Sequence, residues 1–547
     1  MALPAIRIAQ AAGEAFMTNY FRPACVVLAA ALTCACGSSS QTAVTSVSTA
    51  PGSLALDPPF RIASLTAATF GAELAGSTTG AQLLAITGAP SCGVDFYYIK
   101  FWTLGALPGE TTESSGALMV PTGGTGCSGP RPIVLYAHGT NANKALNIAD
   151  ITNPQNTEGA LIAAMFAAQG YIVVAPNYAG YDISTLGYHP FLNAAQQSGE
   201  MRDILTAART ALPGTFAAST SDNGQLFVTG YSEGGHVAMA TLRALQAAGA
   251  KVTAAAPMSG PYALEAFGDV LFGGSVDLGS TEFAPLLTAG YQHAYGDIYT
   301  APTDIYSPTY ATGIATLLPS TTPLATLFSE GILPETALFD STTPVVPGEP
   351  GLTAALAIPS NPANPDTALF QLGFGNPYLI VNDYRVSYVL DAVADPDGAV
   401  PTPSAGVPLA AKPPTQGLRK AFYVNDLRNG GWAPTSPTLL CGGDADPTVF
   451  FSVNTETMAA FWPAQVAAGL VTVLDVNGTP AGPFAKIQEG FLASQSALLE
   501  YYQTAAGGGL SLAAAELQLV ENYHGNVAPF CSLAARSFFS QFVGGAP

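Results

Sequence analysis

A serine, a late histidine and an aspartate between them are the residues of this chain whose placement could do chemistry. Ser232 is the centre of Gly230-Tyr231-Ser232-Glu233-Gly234. Residues 226–229, just upstream, are apolar or β-branched and read as a buried strand; residues 237–248, rich in Ala, Leu and Met and free of Pro, read as a helix. A serine at a sharp strand-to-helix bend is lifted clear of the sheet toward the helix N-terminus. Glycines two before and two after leave room for the bend. Such a hydroxyl is a nucleophile for acyl transfer once a base takes its proton.

The base emerges by elimination among five histidines. His138 ends a strand, His236 falls in the first turn after Ser232, and His189 and His293 come before any suitable acid. His524 is late in the chain; it reads as lying in a loop between a short apolar strand at 516–522 and a last helix at 532–542. The acid should follow a strand between serine and histidine, giving the order Ser…Asp…His. Asp444 and Asp446 both follow the strand at 437–441. Gly443-Asp444-Ala445-Asp446-Pro447-Thr448-Val449 fits G-x-x-D-x-x-V at Asp446, which makes it the preferred acid, with Asp444 the alternative and Asp475 more remote. Two backbone N–H groups must receive the oxyanion. They are expected from Glu233, directly after the nucleophile, and from Thr140 in His138-Gly139-Thr140 after the strand at 132–137. Only the main chain of these two residues is assigned a part; the Glu233 side chain is given none.

The totals exclude other chemistry. Among 547 residues, Lys+Arg number 17 against Asp+Glu 37, a net charge of −20. Without clustered Lys and Arg to neutralise phosphates, nucleic acid is not an expected partner. Of seven cysteines, Cys25, Cys34 and Cys36 fall in an N-terminal export signal, where Arg22 precedes an apolar run at 24–32. Small residues before Cys36 and Gly37-Ser38-Ser39-Ser40 after it read as a bacterial lipoprotein signal, lipidated at Cys36 and anchored to the cell envelope. An ordinary secretory signal is the alternative, and Met17 competes with Met1 as the start. The remaining four cysteines, even in number, suit two disulfides in an oxidising compartment. Of the three pairings, Cys92–Cys127 with Cys441–Cys531 is preferred, because each pair brackets one structural unit. No histidine or cysteine spacing suits a metal site, so no metal is expected.

Positioning these residues calls for strands alternating with helices. Strands are expected at 94–103, 115–121, 132–137, 171–175, 226–229, 252–256, 437–441 and 471–476, and helices at 157–169, 194–212, 237–248, 454–468 and 487–504. Alternation of this kind implies an α/β fold with a mostly parallel sheet, the first two strands adding an antiparallel hairpin at one edge. The expected organisation is a signal at 1–36, a flexible tether at 37–55, a core at 56–260, a cap at 261–430 dense in Pro, Gly, Thr and Tyr, and the rest of the core at 431–547.

With those residues in place the chain resembles an α/β-hydrolase. More narrowly, it is similar to the secretory lipase family of fungal lipase A type and its bacterial lipoprotein relatives. Ile172-Val173-Val174-Ala175-Pro176-Asn177-Tyr178-Ala179-Gly180, Gly230-Tyr231-Ser232-Glu233-Gly234-Gly235 and Ala256-Pro257-Met258-Ser259-Gly260-Pro261 carry the likeness. It implies hydrolysis of carboxylic esters through an acyl-enzyme on Ser232, with Asp446 and His524, without cofactor. The cap, bearing Tyr, Phe and Leu and few charges, suits an apolar acyl or aryl group. A serine peptidase of the same fold, and a non-catalytic cell-surface binding protein, are the competing readings.

Overall fold

A computed structural model describes residues 48–212, 219–361, 364, 366–397 and 413–544. The signal, Cys36 and tether residues 37–47 lie outside the described residues. Nine strands form one sheet: β1 (Phe60–Leu65), β2 (Gly93–Leu104), β3 (Thr111–Thr122), β4 (Gly129–Ala137), β5 (Ile172–Pro176), β6 (Thr220–Tyr231), β7 (Ala254–Met258), β10 (Thr438–Gly442) and β11 (Val471–Asp475). Two short strands between β7 and β10, β8 (Phe339–Asp340) and β9 (Phe374–Gly375), pair separately. The order in the large sheet is β1-β2-β3-β5-β4-β6-β7-β10-β11. β1, β2, β3 and β5 pair antiparallel in succession. From β5 to β11 every pairing is parallel. The mostly parallel sheet with an antiparallel edge is thus the architecture observed.

Parallel strands need helical crossovers, and those helices cover both faces. On one face Val134, Val173, Phe227 and Cys441 pack with Leu161 and Ile162 of the helix Thr157–Met165 and with Phe530, Ala534 and Phe539 of the last helix, Tyr523–Ser540. On the other, Leu135, Val174 and Val228 pack with Ile204 and Leu205 of the helix Ala194–Ala211 and with Val237 and Leu242 of the helix Glu233–Ala247. Strands covered on both faces have no polar side to show, which is why β5 is apolar throughout, β10 is apolar but for Thr438, and both are fully buried.

Between β7 and β10 the chain contributes Phe272, Tyr291, Tyr306, Phe339, Tyr388 and Phe422 to a further apolar core, which Phe191 and Leu192 join. The Pro- and Gly-rich composition conceals four substantial helices, Leu264–Gly273, Ser280–Tyr295, Asn382–Ala394 and Gly417–Asn425. Arg419 joins three of them. Fully buried, it meets Glu265 at 3.0 Å, Asp269 at 2.8 Å and Asp391 at 3.2 Å.

Three expectations need correction. Residues 516–522 are not a strand: they belong to the helix Leu512–Glu521, capped by Ser511, whose side chain accepts from Ala514 N–H. His524 is not in a loop, and the last helix begins at Tyr523 rather than at 532, carrying Pro529 inside it. Burial of Val527, Phe530 and Cys531 on the sheet outweighs the one backbone hydrogen bond that the proline removes. Residues 52–55, expected in the tether, run beside β2: Gly52 N–H donates to Trp102 O at 2.8 Å, and Ala55 N–H to Lys100 O at 2.9 Å.

Candidate active site

β6 ends at Tyr231 and the next helix begins at Glu233, leaving Ser232 alone to make the turn, at φ 60° and ψ −123°. A non-glycine residue in this region is strained, at a cost of about 1–3 kcal/mol, and persists only where its surroundings hold it. Here Ser232 N–H donates to Met258 O of β7 at 3.0 Å, and Gly235 N–H returns to Ser232 O at 2.8 Å. The flanking glycines are needed for space. A Cβ on Gly230 would lie 2.3 Å from Gly234 O, and one on Gly234 would lie 2.0 Å from Ala137 O.

The preferred acid and base meet. His524 Nδ1 lies 2.6 Å from Asp446 Oδ2, with the aspartate side chain 1% exposed and the imidazole 15%. Asp446 Oδ1 accepts from Thr448 N–H at 2.9 Å and from Val449 N–H at 3.0 Å, which fixes the carboxylate with its other oxygen toward the ring. A carboxylate beside Nδ1 selects the tautomer with hydrogen there, leaving Nε2 as an acceptor. Nε2 is buried and has no hydrogen-bond partner among the described residues. Asp444 turns elsewhere: its Oδ1 accepts from Asn477 Nδ2 at 2.6 Å. Asp475 caps the same turn, accepting from Asp444 N–H at 3.1 Å.

Tyr231, the residue before the serine, holds the histidine. Its hydroxyl donates to the His524 carbonyl oxygen, and its ring centroid is 4.9 Å from the imidazole. No hydrogen bond joins Ser232 Oγ to His524 Nε2 in this arrangement; such contacts often tighten only when substrate is bound. The other histidines are engaged. His236 is fully buried, with Nε2 3.0 Å from Asn425 O, and burial pushes its pKa down to about 4. His293 meets Glu110 at 3.0 Å.

Thr140, Ser232 and Glu233 border one cavity. Glu233 is the first residue of its helix, so its N–H has no intrahelical partner. The 138–140 loop abuts the turn, since a Cβ on Gly139 would sit 3.4 Å from Tyr231 O and 3.6 Å from Ser232 Cβ. Gly139 N–H itself is held by Glu158, at 3.0 Å from Oε1, and burial raises that carboxyl's pKa. From Ser232 the cavity runs between Leu264, Phe267, Phe272, Phe283, Leu287 and Phe422, and its lining is almost wholly apolar. Asp277 and Glu233 are the ionisable residues along it. Among the described residues no three His, Cys, Asp or Glu side chains are grouped to hold a metal ion, and no helix is long and apolar enough to cross a membrane.

Sequence reasoning missed the Glu233 side chain. It is fully buried, 2.7 Å from His189 Nε2 and 2.6 Å from Gln197 Nε2. The signal available was an acid in the first turn of a helix that the fold had to bury.

Both expected disulfides are formed, Cys92–Cys127 and Cys441–Cys531. The second links β10, five residues before Asp446, to the last helix, seven residues after His524. It therefore ties the segment bearing the acid to the one bearing the histidine. Closing 90 residues of chain, it should contribute about 2–5 kcal/mol. The double substitution Cys441→Ala/Cys531→Ala is expected to lower Tm and the yield of active protein together. An unchanged Tm would show that the last helix docks without the link.

No protein-family model and no curated protein matches the chain. Solved structures do. The rice cell wall degrading esterase LipA from Xanthomonas oryzae superposes with a TM-score of 0.61 at 23% identity, covering 90% of this chain and 99% of that one. A ligand-bound form of the same protein gives 0.60 at 24% identity, over 89% and 98%. A Legionella pneumophila protein gives 0.57 at 17% identity, also over 89% and 98%. Taken with the order of the sheet and the strand–serine–helix turn, these likenesses establish that the chain has the α/β-hydrolase fold.

Proposed function

We propose that the chain is an exported serine hydrolase that cleaves carboxylic esters with an apolar acyl or aryl group, of lipase or esterase type. The observation that carries the reading is the Asp446–His524 pair, 78 residues apart in sequence, brought beside the strained turn that bears Ser232. Ser232 Oγ attacks the ester carbonyl carbon as its proton passes to His524 Nε2. Asp446 holds the ring and stabilises the imidazolium. The carbonyl oxygen, now an oxyanion, takes hydrogen bonds from the N–H groups of Glu233 and Thr140. Collapse breaks the C–O bond, His524 returns the proton to the departing alcohol, and an acyl-Ser232 remains. Water then repeats the sequence, releasing the acid and free serine.

The apolar cavity leading from Ser232 into the cap supports an acyl or aryl group over a charged peptide. The esterase named among the structural neighbours supports the same bond type. Export is supported by the two disulfides, which persist in oxidising compartments. Lipidation of Cys36 and a cap spanning 261–430 belong to this reading too.

The test is a series of p-nitrophenyl esters from acetate to palmitate, beside a panel of peptide p-nitroanilides, using protein without the signal. Ester turnover is expected to exceed anilide turnover, and kcat/KM to rise with acyl length until the cavity is filled. Faster anilide cleavage would make the chain a peptidase. Turnover of neither by well-folded protein would leave a binding protein.

A further inference from the structure

His189 takes no step in the proposed reaction, yet it is placed with care. It lies in the segment after β5, fully enclosed, with Nδ1 2.9 Å from Ala179 O and Nε2 2.7 Å from Glu233 Oε1. A ring nitrogen facing a carbonyl oxygen carries hydrogen, and a proton must also lie between Nε2 and the carboxyl oxygen. Tyr178 stacks on the ring with centroids 5.6 Å apart, and Tyr181 lies at 4.8 Å. Gln197 Nε2 donates to the same Glu233 oxygen at 2.6 Å, while Oε2 has no hydrogen-bond partner among the described residues. His189 is therefore one of the two groups that hold Glu233 Oε1 away from water.

Glu233 is also the residue after the nucleophile, and its main-chain N–H is one of the two assigned to the oxyanion. Where its side chain is held, its amide is held. The segment bearing His189 is itself under strain, since Tyr178, Asp182 and Leu192 take φ of 67°, 47° and 53°. Two and three residues beyond His189, Phe191 and Leu192 form part of the cavity wall. The His189–Glu233 contact thus spans 44 residues to join the cavity wall to the turn at Ser232.

We propose that His189 is a positioning residue. Through Glu233 it holds the amide that receives the oxyanion, and it fixes the adjoining wall of the acyl cavity. This rests on the hydrolase reading above. Removing the ring leaves a buried carboxyl with one donor, so the first turn of the helix must shift to find another. A shift there displaces a donor aimed at the transition state while leaving the apolar grip on the acyl chain in place.

The experiment compares wild type, His189→Leu, Glu233→Gln and the double variant on p-nitrophenyl butyrate. Active sites are counted with a p-nitrophenyl phosphonate, and an alkyl trifluoromethyl ketone serves as analogue of the oxyanion. In His189→Leu, kcat per titrated site is expected to fall about 10- to 100-fold, with ketone affinity falling by the same factor and KM within about twofold. Adding Glu233→Gln should restore part of that loss, because a neutral amide is less costly to leave short of a donor. A kcat per site unchanged in His189→Leu overturns the proposal, as does a rise in KM with ketone affinity intact. Should His189→Leu fail to fold, His189→Gln takes its place. Its amide still reaches toward Glu233, and a parallel fall of a few-fold in kcat and ketone affinity is expected, with no parallel fall overturning the proposal. Wild type that neither turns over esters nor reacts with the phosphonate removes the hydrolase reading and this proposal with it. Active wild type with indifferent variants removes this proposal alone.

Discussion

Ser232→Ala is expected to lower kcat for ester hydrolysis by about 10⁶-fold, the scale on which serine hydrolases lose activity when the nucleophile is removed. The turn itself should survive. Its hydrogen bonds run through the main chain, from Ser232 N–H to Met258 O and from Gly235 N–H to Ser232 O, and alanine keeps both. Alanine keeps the Cβ and adds no atom, so nothing new is asked of the packing. Tm should therefore stay within a degree or two of wild type, and ester binding, which depends on the apolar cavity, should persist. Stopped assays with p-nitrophenyl esters, paired with equilibrium binding of a non-hydrolysable ether analogue, separate the two quantities. Turnover retained at wild-type level in the alanine variant would exclude Ser232 as nucleophile.

Parts of this site were readable because each rests on a local pattern. The serine turn needs glycine at 230 and 234 whatever the rest of the chain does, since a Cβ at either would strike main-chain atoms. The contact of Asp446 with His524 was anticipated from the spacing of Asp446 after a strand, and the cysteine pairs from their bracketing of single units. What escaped depends on distant partners. Leu517-Gln518-Leu519-Val520 alternates well enough to pass for a strand, but it sits among Ala and Glu residues that favour helix, with Ser511 as cap. Gly525 and Pro529 suggested a break before the last helix, yet packing of Phe530 and Ala534 on the sheet carries the helix through them. The helices between β7 and β10 were hidden by their Pro- and Gly-rich connections and are held by an aromatic core that no local window contains. The Glu233 side chain was given no part because its partners, His189 and Gln197, lie 44 and 36 residues away.

Asp446→Asn is expected to reduce kcat by about 10⁴-fold while Asp444→Asn stays within about twofold of wild type. The amide of asparagine has nearly the volume of the carboxylate, and its oxygen can still accept from Thr448 and Val449 N–H, as Asp446 Oδ1 does. That leaves its NH₂ group facing His524 Nδ1, where Oδ2 stood. An NH₂ donates, so Nδ1 must become the acceptor and the hydrogen moves to Nε2. The ring is then in the right place with the wrong tautomer, unable to take the serine's proton, and the imidazolium it would form lacks its counter-charge. The loss corresponds to about 5 kcal/mol of transition-state stabilisation. Asp444 has no such part: its Oδ1 accepts from Asn477 Nδ2 instead. The measurement is kcat across pH for both variants. In Asp446→Asn the defect should be in kcat with KM little changed, because the apolar cavity that grips the acyl group is untouched. A larger loss in Asp444→Asn than in Asp446→Asn would mean that the acid loop rearranges in solution, bringing the other carboxylate to His524.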